Sequence, residues 1–166
     1  MEPAEVLKAT PFFADVLDDA EIEMLAARAH FLSFPKGATP IEEDGPGHAM
    51  FVIVSGEAIV TVHGGDEEPV ASLSKGDIVG EMSLLTGARR SATVTAGTAL
   101  EVVEVNKQAL AHVLQHAPDL VERFAALIER RQHELDRLAG GSAWGMMRMG
   151  KAEMAATIRA FFGKTI

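Results

Sequence analysis

Gly80-Glu81-Met82-Ser83-Leu84-Leu85-Thr86-Gly87-Ala88-Arg89-Arg90-Ser91-Ala92-Thr93-Val94 is the stretch on which the reading of this chain turns. It interrupts a run of short β-type segments and carries four features that serve one task. Gly80 lets a ligand come close to the backbone, because no Cβ stands in the way. Met82–Leu85 is long enough for one helical turn, whose first N–H groups lack acceptors within the helix and can face an anion. Arg90 offers a planar fork of donors matched to a phosphate. Glu81 is a carboxylate acceptor suited to a sugar hydroxyl. One arginine beside one helix N-terminus suits a phosphodiester of single negative charge. A triphosphate calls for a Gly-rich loop with a lysine and a metal, and the sequence has no such loop.

On both sides of this segment the pattern is short apolar runs broken by glycine and proline. Phe31–Phe34 stops at Pro35-Lys36-Gly37, and the acidic turn Glu43-Asp44-Gly45-Pro46-Gly47 precedes Ala49–Ser55. Gly56 reads as a hairpin corner into Glu57–Val62. Gly64-Gly65-Asp66 turns the chain before Val70–Leu73, and Lys75-Gly76-Asp77 does so before Ile78-Val79. Ser91–Thr95 and Leu100–Val105 complete the set. Strands at roughly ten-residue spacing predict a small antiparallel sandwich or barrel.

Helical chemistry frames this β-region. In residues 1–29, Asp18 is an N-cap acid with Glu21 three positions on, and Ile22, Leu25, Ala26 and Ala29 follow at helical spacing. Asn106 is placed to cap Lys107–His116, and Pro118 stands at the expected first position of a long helix with Asp119 and Glu122 in its first turn. Leu120, Phe124, Leu127, Ile128, Leu135 and Leu138 form its apolar stripe, and Gly140-Gly141 ends it. A tail with Met146, Met147 and Met149 leads to a short helix around Lys151–Phe162. The expected fold class is α+β: an antiparallel, jelly-roll-like β-roll flanked by N-terminal helices and two C-terminal helices. Its expected parts are a helical segment 1–29, the roll 30–105 with the segment 80–94 inside it, hinge and lid helices 106–139, and a tail 140–166.

Composition narrows the function. The 166 residues carry a net charge of −9. Phosphate contacts supply most non-specific affinity for nucleic acid, so an acidic chain is a poor general binder. No cysteine is present, which excludes disulfides, thiolate metal sites and cysteine catalysis. The longest purely apolar run, Ala49–Val54, is far short of the ~20 residues that span a bilayer. One domain, or one domain plus a short appendage, is expected, soluble and cytoplasmic or belonging to the cytoplasmic face of a membrane protein.

The segment 80–94 carries a family resemblance. Gly80-Glu81-Met82-Ser83-Leu84-Leu85, followed at the right spacing by Arg90-Ser91-Ala92-Thr93-Val94, resembles the phosphate-binding cassette of cyclic nucleotide-binding domains. This is the family of the catabolite activator protein, kinase regulatory subunits and nucleotide-gated channels. Phe51-Val52-Ile53-Val54-Ser55-Gly56-Glu57-Ala58 resembles the family's strand–glycine–strand corner, and the likeness extends over about Val6–Leu138. The resemblance implies that Glu81 accepts from the ribose 2′-hydroxyl and Arg90 pairs with the cyclic phosphate. Backbone amides around Gly80, Glu81, Met82 and Ser83, and at Ser91 and Ala92, complete the cradle, and the base rests on Val60 and Val62. It further implies that the long helix closes over the base, with Arg130 or Arg131 as lid residue, and that binding moves the C-terminal helices. A hydroxyl at Ser91 leaves cyclic GMP open beside cyclic AMP. Two departures stand out. Val79 occupies a position often aromatic in the family, and Arg89 one that is often proline, so that two arginines adjoin.

Each feature also has a plain structural reading. Alone, Glu81 and Arg90 are a solvated acid and a surface base, and Ser91 a residue that starts a strand. His112 and His116 lie i, i+4 on a helix, but Val113 stands where a metalloprotease needs Glu, so packing is the expected role and no metal is expected. A cupin-type metal enzyme needs two or three histidines and a glutamate converging in the roll, whereas His48 and His63 stand singly among the strands; catalysis is not expected. Residues 139–166 hold one helix, too little for a helix-turn-helix, so direct DNA reading is not expected. The closing Ile158–Lys164 resembles the end of such domains fused to bacterial mechanosensitive-type channels. The expected output is therefore regulation of a channel or of a partner protein. The alternative is an interaction module with a degenerate cassette. The apolar seam of the long helix, continued by Trp144, is a candidate surface for a homodimer.

Overall fold

The apolar run Ala49–Val54 forms a central strand because it is covered on both sides. In the computed structural model, which describes residues 2–41, 48–61, 69–87, 92–139 and 150–162 (69–70 and 131–139 by backbone alone), strand β2 spans Ala49–Ser55. Successive side chains of a strand point to opposite faces. Met50 and Val52 face a core shared with the helices, while Phe51 and Ile53 face a second core inside the roll. Its neighbour β7, Leu100–Asn106, divides in the same way: Val103 and Val105 on the helix side, Leu100 and Val102 inside. Strands buried on both faces read as continuous apolar runs rather than alternating ones.

Seven strands lie among the described residues, paired antiparallel in two sheets. Besides β2 and β7 these are β1 (His30–Phe34), β3 (Ala58–Thr61), β4 (Pro69–Leu73), β5 (Ile78–Val79) and β6 (Thr93–Ala96). The first sheet has the order β1-β7-β2-β5 and the second β4-β3-β6. The helices are α1 (Pro3–Lys8), α2 (Pro11–Ala14), α3 (Asp19–Ala26), α4 (Glu81–Thr86), α5 (Lys107–His116), α6 (Leu120–Ala139) and α7 (Lys151–Phe162). The expected α+β architecture, an antiparallel β-roll with flanking helices, is the one observed.

Gly56 corrects one expectation. The sequence suggested a hairpin, but β2 and β3 do not pair; they belong to different sheets, and Ser55-Gly56-Glu57 carries the chain from one to the other. The corner is tied to the β6–β7 turn, where Thr98 Oγ1 accepts from the Glu57 amide (3.0 Å) and the Gly97 amide donates to the Glu57 carbonyl (2.9 Å). Gly56 sits at φ +91°, in the left-handed region, against the Ala99 carbonyl.

Caps set the helix starts. Asp18 and Glu21 form a reciprocal capping box at α3, and the Asn106 side chain accepts from the Ala109 amide (2.8 Å) at α5. The long helix starts two residues later than expected. The amides of Leu120, Val121 and Glu122 bond to the carbonyls of Ala117, Pro118 and Asp119, three residues back, so Pro118 belongs to a tight turn ahead of α6. Gly140, Gly141, Trp144 and the three methionines lie outside the described residues, as do the acidic turns 43–47 and 64–66 and His63.

Candidate functional site

Gly80 joins β5 to α4 in the left-handed conformation, φ +86° and ψ +8°, as the N-cap of the helix. A residue with a Cβ is strained there, and glycine is the residue that turns the chain abruptly from strand to helix. Glu81 opens the helix, with Met82 next; both are half-buried, and Ser83 is buried. Leu84 and Leu85 are fully buried in the helix-side core, and of the first turn of α4 only Glu81 and Met82 are left half-exposed. Gly87, at φ +75°, ends the helix with its amide on the Ser83 carbonyl (2.9 Å).

The floor of the site is the smaller core. Val60 on β3 is 2% exposed and is paired with Val94 of β6 and Ala71 of β4. Ala92 belongs to the same cluster, and Val79, which directly precedes Gly80, packs against it. The fold therefore brings Val79, Ala92 and Val60 to one apolar cluster inside the roll, while Met82 on the far side of Gly80 packs against the helix-side core. Val62, Arg90 and Ser91, expected at the site from the sequence, lie outside the described residues, as does the neighbouring Arg89. Arg130 is exposed on α6, and the side chain of Arg131 is not among those described.

A contact unread in the sequence joins this segment to the chain's last helix. A Cβ on Gly87 would meet the Phe161 ring at 2.5 Å, and Lys107 Nζ stands 3.8 Å from that ring's centroid. The signal was the Phe161-Phe162 pair ending an amphipathic helix, but nothing local in the sequence names its partner. Elsewhere, the rings of His112 and His116 lie side by side, centroids 4.8 Å apart. Loss of surrounding water, then the charges of Arg28 and His116, hold the His112 imidazole below its ordinary value. Among the described residues no group of three or more histidine or carboxylate side chains is placed to hold a metal ion. No described helix is long and apolar enough to cross a membrane.

Known proteins share this fold. The chain is 30% identical over 129 residues to the cAMP-activated global transcriptional regulator CRP of Shigella flexneri, a match covering 76% of this chain and 61% of that protein. It is 37% identical over 90 residues to the cAMP-dependent protein kinase regulatory subunit of Colletotrichum orbiculare, covering 54% of this chain and 23% of the subunit. The chain thus spans about three fifths or less of the length of these relatives. Among solved structures, the N-terminal domain of a transcriptional regulator from Streptomyces coelicolor superposes with a TM-score of 0.68 at 26% identity, over 80% of this chain and 95% of that one. The catabolite activator protein of Thermus thermophilus gives 0.65 at 27% identity, over 79% and 62%. The profile of the family described as "Cyclic nucleotide-binding domain" matches residues 31–117, from the first strand through the helix that follows the roll. With the roll, the glycine-capped α4 and the two following helices all in place, the chain belongs to the cyclic nucleotide-binding domain family.

Proposed function

We propose that this chain is a sensor that binds a 3′,5′-cyclic nucleotide, cAMP or cGMP, in the roll and passes the event on through its C-terminal helices. The observation that carries the reading is the left-handed Gly80 starting α4 beside the Val60–Ala92 cluster. A polar cradle for phosphate and sugar there adjoins an apolar floor for the base. In this reading Glu81 accepts from the ribose 2′-hydroxyl. Arg90 pairs with the phosphate, and amides at 80–83 and 91–92 point at its oxygens. The base rests on Val60 and Val62 under a lid provided by α6, with Arg130 or Arg131 nearest. Leu84 and Leu85 share one core with Leu110, Val113 and Leu114 of α5 and with Phe124 of α6. A shift of α4 on binding phosphate is therefore felt by both helices. A ligand moves such an equilibrium only by its preference for one of the two arrangements.

The relatives whose names describe cAMP activation or dependence favour cAMP, while Ser91 keeps cGMP in play. The output of the sensor is regulation of a partner protein or of a channel at the cytoplasmic face. Calorimetric titration of the chain with each nucleotide tests the proposal. The expected result is micromolar or tighter binding, with the ratio of affinities naming the messenger. Folded protein that takes up neither nucleotide defeats the reading and leaves an interaction module. Glu81→Ala is expected to weaken binding less than loss of Arg90, since a neutral hydroxyl is its partner.

A further inference from the structure

The last helix returns along α6 and ends on the cassette. The Lys151 amide donates to Glu129 Oε2 (2.6 Å) at one end and Arg159 pairs with Glu122 near the other, so α7 runs antiparallel to α6. Met154, Ala155, Ile158 and Phe162 form one stripe of α7, buried in the same core as Leu84 and Leu85. Phe161 stands at the edge of that core. Its ring abuts Gly87, lies under the Lys107 ammonium, and stacks on His48 with centroids 6.1 Å apart and 9° between planes. Gly87 is the C-cap of α4, and Lys107 is the first residue of α5. One ring therefore touches both the exit of the cassette helix and the start of the helix pair beyond the roll.

A helix of six residues does not hold itself together in water; packing against neighbours must hold it. Among the described residues, the elements packed most extensively on α4 are β2 and α7. We propose that α7 is a strap whose docking is coupled to ligand binding: docked, it fixes α4 in the arrangement the ligand needs, and bound ligand tightens the docking in return. The coupling rests on the ligand reading above. With the strap released, the cost of ordering α4 falls on the ligand, which then binds more weakly. The reverse effect follows because coupling between two binding events is reciprocal.

The test uses the full chain with Phe161→Ala, which removes the ring at Gly87, and Arg159→Glu, which sets two carboxylates against each other on an exposed face and leaves the core intact. Amide hydrogen exchange is followed without nucleotide at Leu84 and Gly87, whose amides bond within the cassette helix. Affinities for cAMP and cGMP are measured beside it. Both variants are expected to exchange faster at these amides and to bind nucleotide on the order of tenfold more weakly. Saturating nucleotide is expected to slow exchange across 152–162 in the wild-type chain. Nucleotide binding by the wild type, with unchanged affinity and unchanged exchange in both folded variants, overturns the strap alone. Tighter binding in the variants overturns its sign. A wild-type chain that binds neither nucleotide defeats the ligand reading, and the coupling with it.

Discussion

Gly56 and Gly76 have nearly the same φ, +91° and +92°, but different surroundings. A Cβ on Gly56 falls inside contact distance of the Ala99 carbonyl oxygen, while one on Gly76 meets nothing within 4 Å. Both substitutions to alanine carry the left-handed penalty, roughly 1–2 kcal/mol. Only Gly56→Ala adds a clash with backbone that cannot move aside. Denaturant titration is expected to show Gly76→Ala losing about 1 kcal/mol and Gly56→Ala clearly more. Equal losses would mean that the corner between the sheets is less rigid than described. His112 gives a second residue-scale prediction. Its imidazole, facing Arg28 and His116, titrates below the ordinary value of about 6.5. The unfolded chain therefore takes up this proton first. Stability is unaffected by His112 above that pH and falls as pH drops below it, until the lowered folded-state value is passed. Unfolding midpoints between pH 7.5 and 5 are expected to fall less steeply for His112→Gln than for the wild type.

Local chemistry made some elements legible and misplaced others. The caps at Asp18 and Asn106 were readable because a cap is a contract between residues three apart. Asn106→Ala is expected to cost about 1 kcal/mol, seen as a lowered midpoint in thermal unfolding, since the Ala109 amide loses its acceptor. Pro118 misled by two residues because the tight turn that precedes α6 accepts proline as readily as a first helical turn does. The Gly56 corner was read as a hairpin for a similar reason. A glycine between two strands marks a change of direction, but whether the strands then pair depends on which core each must cover. A helical turn was visible in the Gly-Glu-Met-Ser-Leu-Leu segment over Met82–Leu85; the left-handed Gly80 and the extension of α4 to Glu81–Thr86 were not, because they depend on how the segment leaves β5 and packs on the core. Leu84→Ala is expected to cost roughly 2–5 kcal/mol, measured by denaturant unfolding, because the leucine is fully buried.

At the scale of the whole molecule, two cores share two strands. β2 and β7 present one face to the helices and the other to the interior of the roll, so the two cores are in contact through these strands with α5, α6 and α7 on the helix side. The apolar run Ala49–Val54 fits this double burial, although the sequence alone marks it only as a strand too short to cross a bilayer. The meeting of Phe161 with Gly87 was not legible, because 74 positions separate them (161 − 87) and their contact depends on how α6 and α7 fold back. The central claim is that the cassette takes the phosphate of a cyclic nucleotide through Arg90 rather than the adjoining Arg89. Parallel calorimetric titration of the wild type, Arg90→Ala and Arg89→Ala with cAMP and cGMP tests it most directly. The account predicts tight binding that Arg90→Ala weakens on the order of tens to thousands of fold and Arg89→Ala leaves nearly unchanged. Binding that survives Arg90→Ala, or that Arg89→Ala abolishes instead, would contradict it.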